Sequence, residues 1–130
     1  MDIKEFAQKF IEAEFEAWLK GNFKSLEQME SPDMTLHMPP TPDLKGFEAH
    51  KQYIMNACET IKDLTAEGDY ITGDGNVAVL SFKMTYTLTA DNPILKIPAG
   101  STVDADGFMV LRRENDKVAE IWIKSSMTTK

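Results

Sequence analysis

A chain of 130 residues, 42% hydrophobic and 27% charged, is sized for one soluble domain that can bury a core and an internal pocket without disulfide or metal staples. Its 14 Lys+Arg against 21 Asp+Glu leave a net charge of −7, a surface that repels phosphate backbones and anionic membranes, so neither nucleic acid nor a membrane is an expected partner. The single Cys58, the lack of a Cys/His cluster at zinc spacing and the lack of an apolar run near the roughly 20 residues of a bilayer span point to a reducing, cytoplasmic setting with no metal and no cofactor.

Ile3, Phe6, Ala7, Phe10, Ile11, Glu14, Phe15 and Trp18 recur at steps of three and four, which predicts an amphipathic helix from about Ile3 to Lys20, stopped by Gly21-Asn22. A short helical turn, Phe23 to Met29, precedes an alternating strand, Met34 to Met38, which Pro39, Pro40 and Pro42 end. After Gly46 a second helix of about sixteen residues carries the stripe Ala49, His50, Tyr53, Ile54, Ala57, Cys58 and Ile61. From Leu64 the period is two, and strands are expected near Leu64–Thr72, Val77–Thr89, Ser101–Arg113 and Lys117–Ser125. Gly73-Asp74-Gly75-Asn76 and Glu114-Asn115-Asp116 supply hairpin turns, and helices followed by a meander give an α+β fold with helices on one sheet face.

Ala78, Leu80, Phe82, Met84, Tyr86 and Leu88 share the side that must meet those helices. On the last two strands the opposite side is also apolar, with Phe108, Val110 and Trp122. A homodimer through that face is therefore expected, with cover by a loop or helix end as the alternative.

Four strings in this order carry a wider resemblance. They are Ser31-Pro32-Asp33-Met34-Thr35-Leu36-His37-Met38-Pro39, Leu44-Lys45-Gly46-Phe47-Glu48-Ala49-His50, Leu95-Lys96-Ile97-Pro98-Ala99-Gly100, and the hairpin Gly107-Phe108-Met109-Val110-Leu111-Arg112-Arg113-Glu114-Asn115-Asp116-Lys117-Val118 followed by Glu120 and Trp122. Together they resemble the nuclear transport factor 2-like superfamily, and within it the SnoaL-like polyketide cyclase and ketosteroid isomerase group. The resemblance covers nearly the whole chain and implies one SnoaL-like domain over residues 1–130. It implies a cone-shaped, cystatin-like fold, in which a curved, mostly antiparallel sheet wraps on N-terminal helices around an apolar pocket, often dimeric through the convex face.

The same resemblance implies where acid/base residues would stand. The isomerase positions match Phe15, Met38 and Met109, and the cyclase positions match Ile123 and again Met109. Met and Ile can neither move a proton nor donate to an oxyanion, so the family's usual machinery is missing from these positions.

Other polar residues remain as candidates. His50 lies one turn from Tyr53 on the inward stripe, either as a base or ligand contact or as a flank histidine bonded to a backbone carbonyl. Glu14, between Phe10, Ile11 and Trp18, either faces inward with its acidity altered by burial or reaches solvent from the helix flank. Alternation points His37 away from Met38 unless a bulge turns it inward, and Tyr86 is in phase with Phe82 and Met84. Met34, Met38, Met84 and Met109 fall in the inward phase and would make a soft lining.

The expected catalytic candidates are thus His50, Tyr53 and Glu14. The expected ligand-binding residues are Phe15, Trp18, His37, Met38, His50, Tyr53, Met84, Tyr86, Met109 and Ile123. The leading expectation is binding of a small hydrophobic molecule in an apolar internal pocket. The alternatives are a divergent isomerase, cyclase or dehydratase using His50, Tyr53 or Glu14, and an assembly domain acting through its outer face.

Overall fold

The first helix begins where Asp2 caps it, its carboxylate accepting a hydrogen bond from the Glu5 amide at 2.7 Å. It ends where Gly21 turns left-handed (φ 67°) and donates back to the Ala17 carbonyl. In the computed structural model, which describes residues 1–130, this is α1 (Ile3–Lys20). It is followed by α2 (Lys24–Met29), β1 (Glu30–Met38), β2 (Thr41–Lys45), α3 (Phe47–Cys58), β3 (Ile61–Asp74), β4 (Val77–Leu88), β5 (Thr102–Glu114) and β6 (Lys117–Thr129). No helix is long and apolar enough to cross a membrane.

The six strands form one curved sheet in the order β2-β1-β6-β5-β4-β3. Every neighbouring pair is antiparallel except β1 with β6, which run parallel. The α+β architecture read from the periodicity is the one observed. The helices pack on one face, where Phe6, Phe10, Leu26, Met34, Leu36, Ile54, Leu80, Leu111 and Ile121 form the buried core. Alternation along β4 holds as expected, with Ala78, Leu80 and Leu88 buried on the helix side.

Four local expectations change. The first strand starts at Glu30 rather than Met34, and a further strand, β2, follows the prolines and pairs with β1 from Thr35–Lys45 to Met38–Thr41. The helix after Gly46 has 12 residues rather than about sixteen. Its end is fixed by backbone bonds from Glu59 to Met55 and from Thr60 to Ala57, after which Ile61 pairs with Leu88 as the first residue of β3 instead of closing a helical stripe. The last strand runs on to Thr129 because β5 offers partners as far as Val103.

Two glycines shape the helix-facing side of the sheet. Gly68, Phe82, Gly107 and Ser125 lie side by side across β3, β4, β5 and β6. A Cβ on Gly68 would stand 3.1 Å from the Phe15 ring, and one on Gly107 would overlap the Lys124 carbonyl oxygen. The missing side chains let Phe15 of α1 settle against the sheet and let β6 close tightly on β5.

The opposite face carries Phe108, 57% exposed, and Trp122, 39% exposed, with Val110 paired directly to Trp122. It is the uncovered apolar face that the alternation predicted.

Candidate functional site

Three titratable side chains from three elements meet under α1. Glu14 comes from the buried face of α1, Glu30 from the first position of β1, and His50 from the first turns of α3. Their side chains are 8%, 0% and 2% exposed. The His50 ring lies between the two carboxylates. Its Nδ1 is 3.0 and 2.8 Å from the Glu30 carboxylate oxygens, and its Nε2 faces Glu14 Oε1 at 3.4 Å. Glu14 Oε1 also accepts a hydrogen bond from Trp18 Nε1 at 3.2 Å, whereas Oε2 is buried and has no partner.

Burial by itself presses an imidazole toward neutrality. Here the charge of Glu14 and the hydrogen bonds to both carboxylates outweigh it, and the pKa of His50 is pushed up to about 10. Burial also raises the Glu30 carboxyl, a rise opposed by the hydrogen bond and charge of His50 and aided by the charge of Glu14. Tyr53 stands edge-on to Trp18, with ring centroids 6.3 Å apart. Burial first, then the nearby Tyr86 and Glu14, raise its hydroxyl above the usual phenol range. Burial raises Tyr86 as well.

An acid–imidazole–acid set of this kind also has the composition of a metal centre, since one atom of each residue lies within 4.8 Å of the others. The ring nitrogens, however, are already aimed at different carboxylates. A proton on each nitrogen satisfies that arrangement, whereas a metal ion on one would leave the other carboxylate hydrogen-bonded outside the coordination shell.

Glu14 lines a cleft between α1 and the sheet. Phe10, Leu80 and Met109 make its buried floor with Glu14, and the half-buried Ile11, Phe15 and Phe82 make its rim. Its volume is about 20 Å³, room for one water-sized group. Of the apolar lining expected from the sequence, Phe15 and Met109 are here, on a far smaller scale than a small hydrophobic molecule needs. A larger groove of about 530 Å³ lies between β1 and the β5–β6 turn. It is polar, and its cations are engaged, Arg112 with Glu114 and Glu120 and Lys117 with the Gln28 carbonyl.

The structure sorts the sequence candidates. It brings together Glu14, Trp18, His50 and Tyr53, with Tyr86 close enough to raise the Tyr53 hydroxyl, and it puts Phe15 and Met109 on the cleft. Glu14 does not reach solvent from the helix flank, and His50 bonds a carboxylate rather than a backbone carbonyl. Met38, Met84 and Ile123 are half-buried and do not line the cleft.

His37, expected among the ligand-binding residues, lies away from the cleft. It points through the outer face, where its ring stacks on Trp122 (centroids 5.3 Å, 18°). Its nitrogens meet Asp43 at 3.0 Å and Glu120 at 2.6 Å. Strand alternation with Leu36 and Met38 already points it there, and the irregularity in the β1–β2 pairing between Leu36 and Met38 does not reverse it.

Glu30 was missed. Its even spacing from Met34 and Leu36 is only a weak signal, because Pro32 in the same phase is exposed and the β1–β6 register shifts between Glu30 and Thr35.

Comparison with known proteins agrees with this architecture. The sequence profile of the SnoaL-like domain matches residues 11–121, and the chain belongs to that family. Among solved structures, TsrD from Streptomyces laurentii superposes with a TM-score of 0.81 at 20% identity, over 97% of this chain and 91% of that one. IdmH from Streptomyces antibioticus, a candidate polyketide cyclase, gives 0.74 at 16% identity over 97% and 93%. A candidate polyketide cyclase from Pseudomonas putida gives 0.71 at 15% identity over 95% and 91%. No curated protein sequence matches the chain.

Proposed function

We propose that this SnoaL-like chain is a general acid–base catalyst of proton transfer next to a carbonyl, an isomerase, cyclase or dehydratase, with Glu14 as the base. The observation that carries the proposal is Glu14 Oε2, a buried carboxylate oxygen without a hydrogen-bond partner on a residue that lines an apolar cleft. Trp18 and His50 hold the other oxygen, so the free one has a fixed direction. Tyr53, edge-on to Trp18 beside this cluster, is the hydroxyl donor we assign to a developing oxyanion. The candidate polyketide cyclases among the structural neighbours are consistent with carbonyl chemistry on this scaffold.

Binding of a small hydrophobic molecule without turnover uses the same cleft, and its apolar lining supports that second reading. Either function requires the rim side chains Ile11, Phe15 and Phe82 to move aside, because the resting volume is water-sized. Catalysis is preferred because binding alone gives no reason to bury two carboxylates and an imidazole.

The test is proton–deuterium exchange α to the carbonyl in a panel of apolar cyclic ketones, followed by NMR in D2O. The wild-type chain accelerates exchange in at least one ketone, and Glu14→Gln slows it by about 10² to 10⁴-fold. Equal rates in the two proteins would refute Glu14 as the base.

We also propose that the chain works as a homodimer through the outer face bearing Phe108, Val110 and Trp122, in a reducing cytoplasm that suits its one free thiol, Cys58.

A further inference from the structure

We propose that Glu30 is a positioning residue that sets the proton-accepting strength of Glu14 through His50, a role that rests on the acid–base reading above. Glu30 breaks two local rules. It stands at the C-terminal end of α2, where the helix dipole disfavours an anion, and it is fully buried while accepting from a single donor, His50 Nδ1. Nothing in the packing of β1 calls for a carboxylate there, since Met34 and Leu36 occupy the same face as plain hydrocarbon core. Departures of this kind collect where chemistry needs them.

The charge count shows what Glu30 does. The groups facing Glu14 are Trp18 on α1, His50 and Tyr53 on α3, Glu30 on β1 behind His50, and Tyr86 on β4 beside Tyr53, while β5 offers only the apolar Met109. With His50 as an imidazolium and Glu30 as a carboxylate, their charges cancel. A proton arriving on Glu14 then takes the cluster from one net negative charge to neutrality, and in a buried site that change favours protonation. Without Glu30 the same proton would take the cluster from neutral to positive. Glu30 therefore makes Glu14 a stronger base, although it does not touch Glu14 and reaches no substrate.

Opposite charge changes must then have opposite effects. Glu30→Gln removes a negative charge and weakens Glu14 as a base. His50→Gln removes a positive charge and strengthens it. The double variant restores the original count. The measurement is the titration midpoint of the Glu14 carboxyl carbon in 13C-glutamate-labelled protein, identified by its loss in Glu14→Gln. The midpoint falls in Glu30→Gln and rises in His50→Gln. In the double variant it returns close to the wild-type value.

An unchanged or raised midpoint in Glu30→Gln, or movement of both single variants in one direction, overturns the proposal. If His50→Gln does not fold, Glu30→Gln and the double variant still decide it. The titration needs no substrate, so shifts as described with no ketone exchange by the wild type would sink only the catalytic reading. Exchange without the shifts would sink only the role of Glu30.

Discussion

A buried imidazole held between two carboxylates ties the stability of the chain to pH. His50 titrates near 6.5 when unfolded and at about 10 when folded, so folding takes up a proton between those values. The contribution of His50 is fully present below about pH 6.5 and is lost as pH rises through 10. Glu30 is also raised, so it acts in the same sense, its contribution present below its unfolded value of 4.5 and lost as pH rises through the folded one. Urea unfolding at pH 6 and pH 10 should show the wild type losing far more stability over that interval than His50→Gln, and equal losses would contradict the assignment. At pH 7, His50→Ala should cost about 3–5 kcal/mol, because it leaves two buried carboxylates without their shared cation.

At the scale of elements, His37 fastens three strands that are distant in sequence. It sits on β1, reaches Asp43 on the edge strand β2 and Glu120 on β6, and stacks on Trp122. The hydrogen bond to Glu120, together with Asp43, raises its pKa, so this fastening is complete below about pH 6.5 and loosens as pH climbs through the raised value. The groups are partly exposed, and their effect is correspondingly small. At pH 6, amide hydrogen exchange in Thr41–Lys45 should run several-fold faster in His37→Gln than in the wild type, with β4 and β5 unaltered. Unchanged exchange in β2 would show that the cluster holds nothing.

The same residue shows how far the sequence could be read. Alternation settles which way His37 points because a strand has only two faces. It does not reveal Asp43 or Glu120 as partners, because strand order across a sheet is not written in local periodicity. Glu14 was legible as inward-facing from Phe10, Ile11 and Trp18. Its companion Glu30 was not, because Pro32 and two polar neighbours interrupt the alternation between it and Met34. That Phe15 and Met109 stand where the resemblance implies acid/base residues was legible, while the Glu14–His50–Glu30 cluster came into view only when α1, α3 and β1 were brought together.

For the whole molecule, the row formed by the exposed Phe108 and Trp122 with the half-buried Val110 predicts assembly. Sedimentation velocity at micromolar concentration should give a dimer, converted to monomer by Trp122→Ser combined with Phe108→Ser. A wild-type monomer would show that this face has no partner in a second copy.

The parallel pairing of β1 with β6 has a consequence in time. Glu30 lies opposite Val118, so its place in the sheet depends on the last strand of the chain. A chain interrupted before Lys117 could wind α1 and α3 and zip β3, β4 and β5 into hairpins. It would still have no neighbour for β1 on that side, where Glu30 pairs with Val118. Long loop closures of this kind come late and slowly. The Glu14–His50–Glu30 cluster is therefore completed by the closing event of folding, and an incompletely folded chain does not yet hold its three charges together.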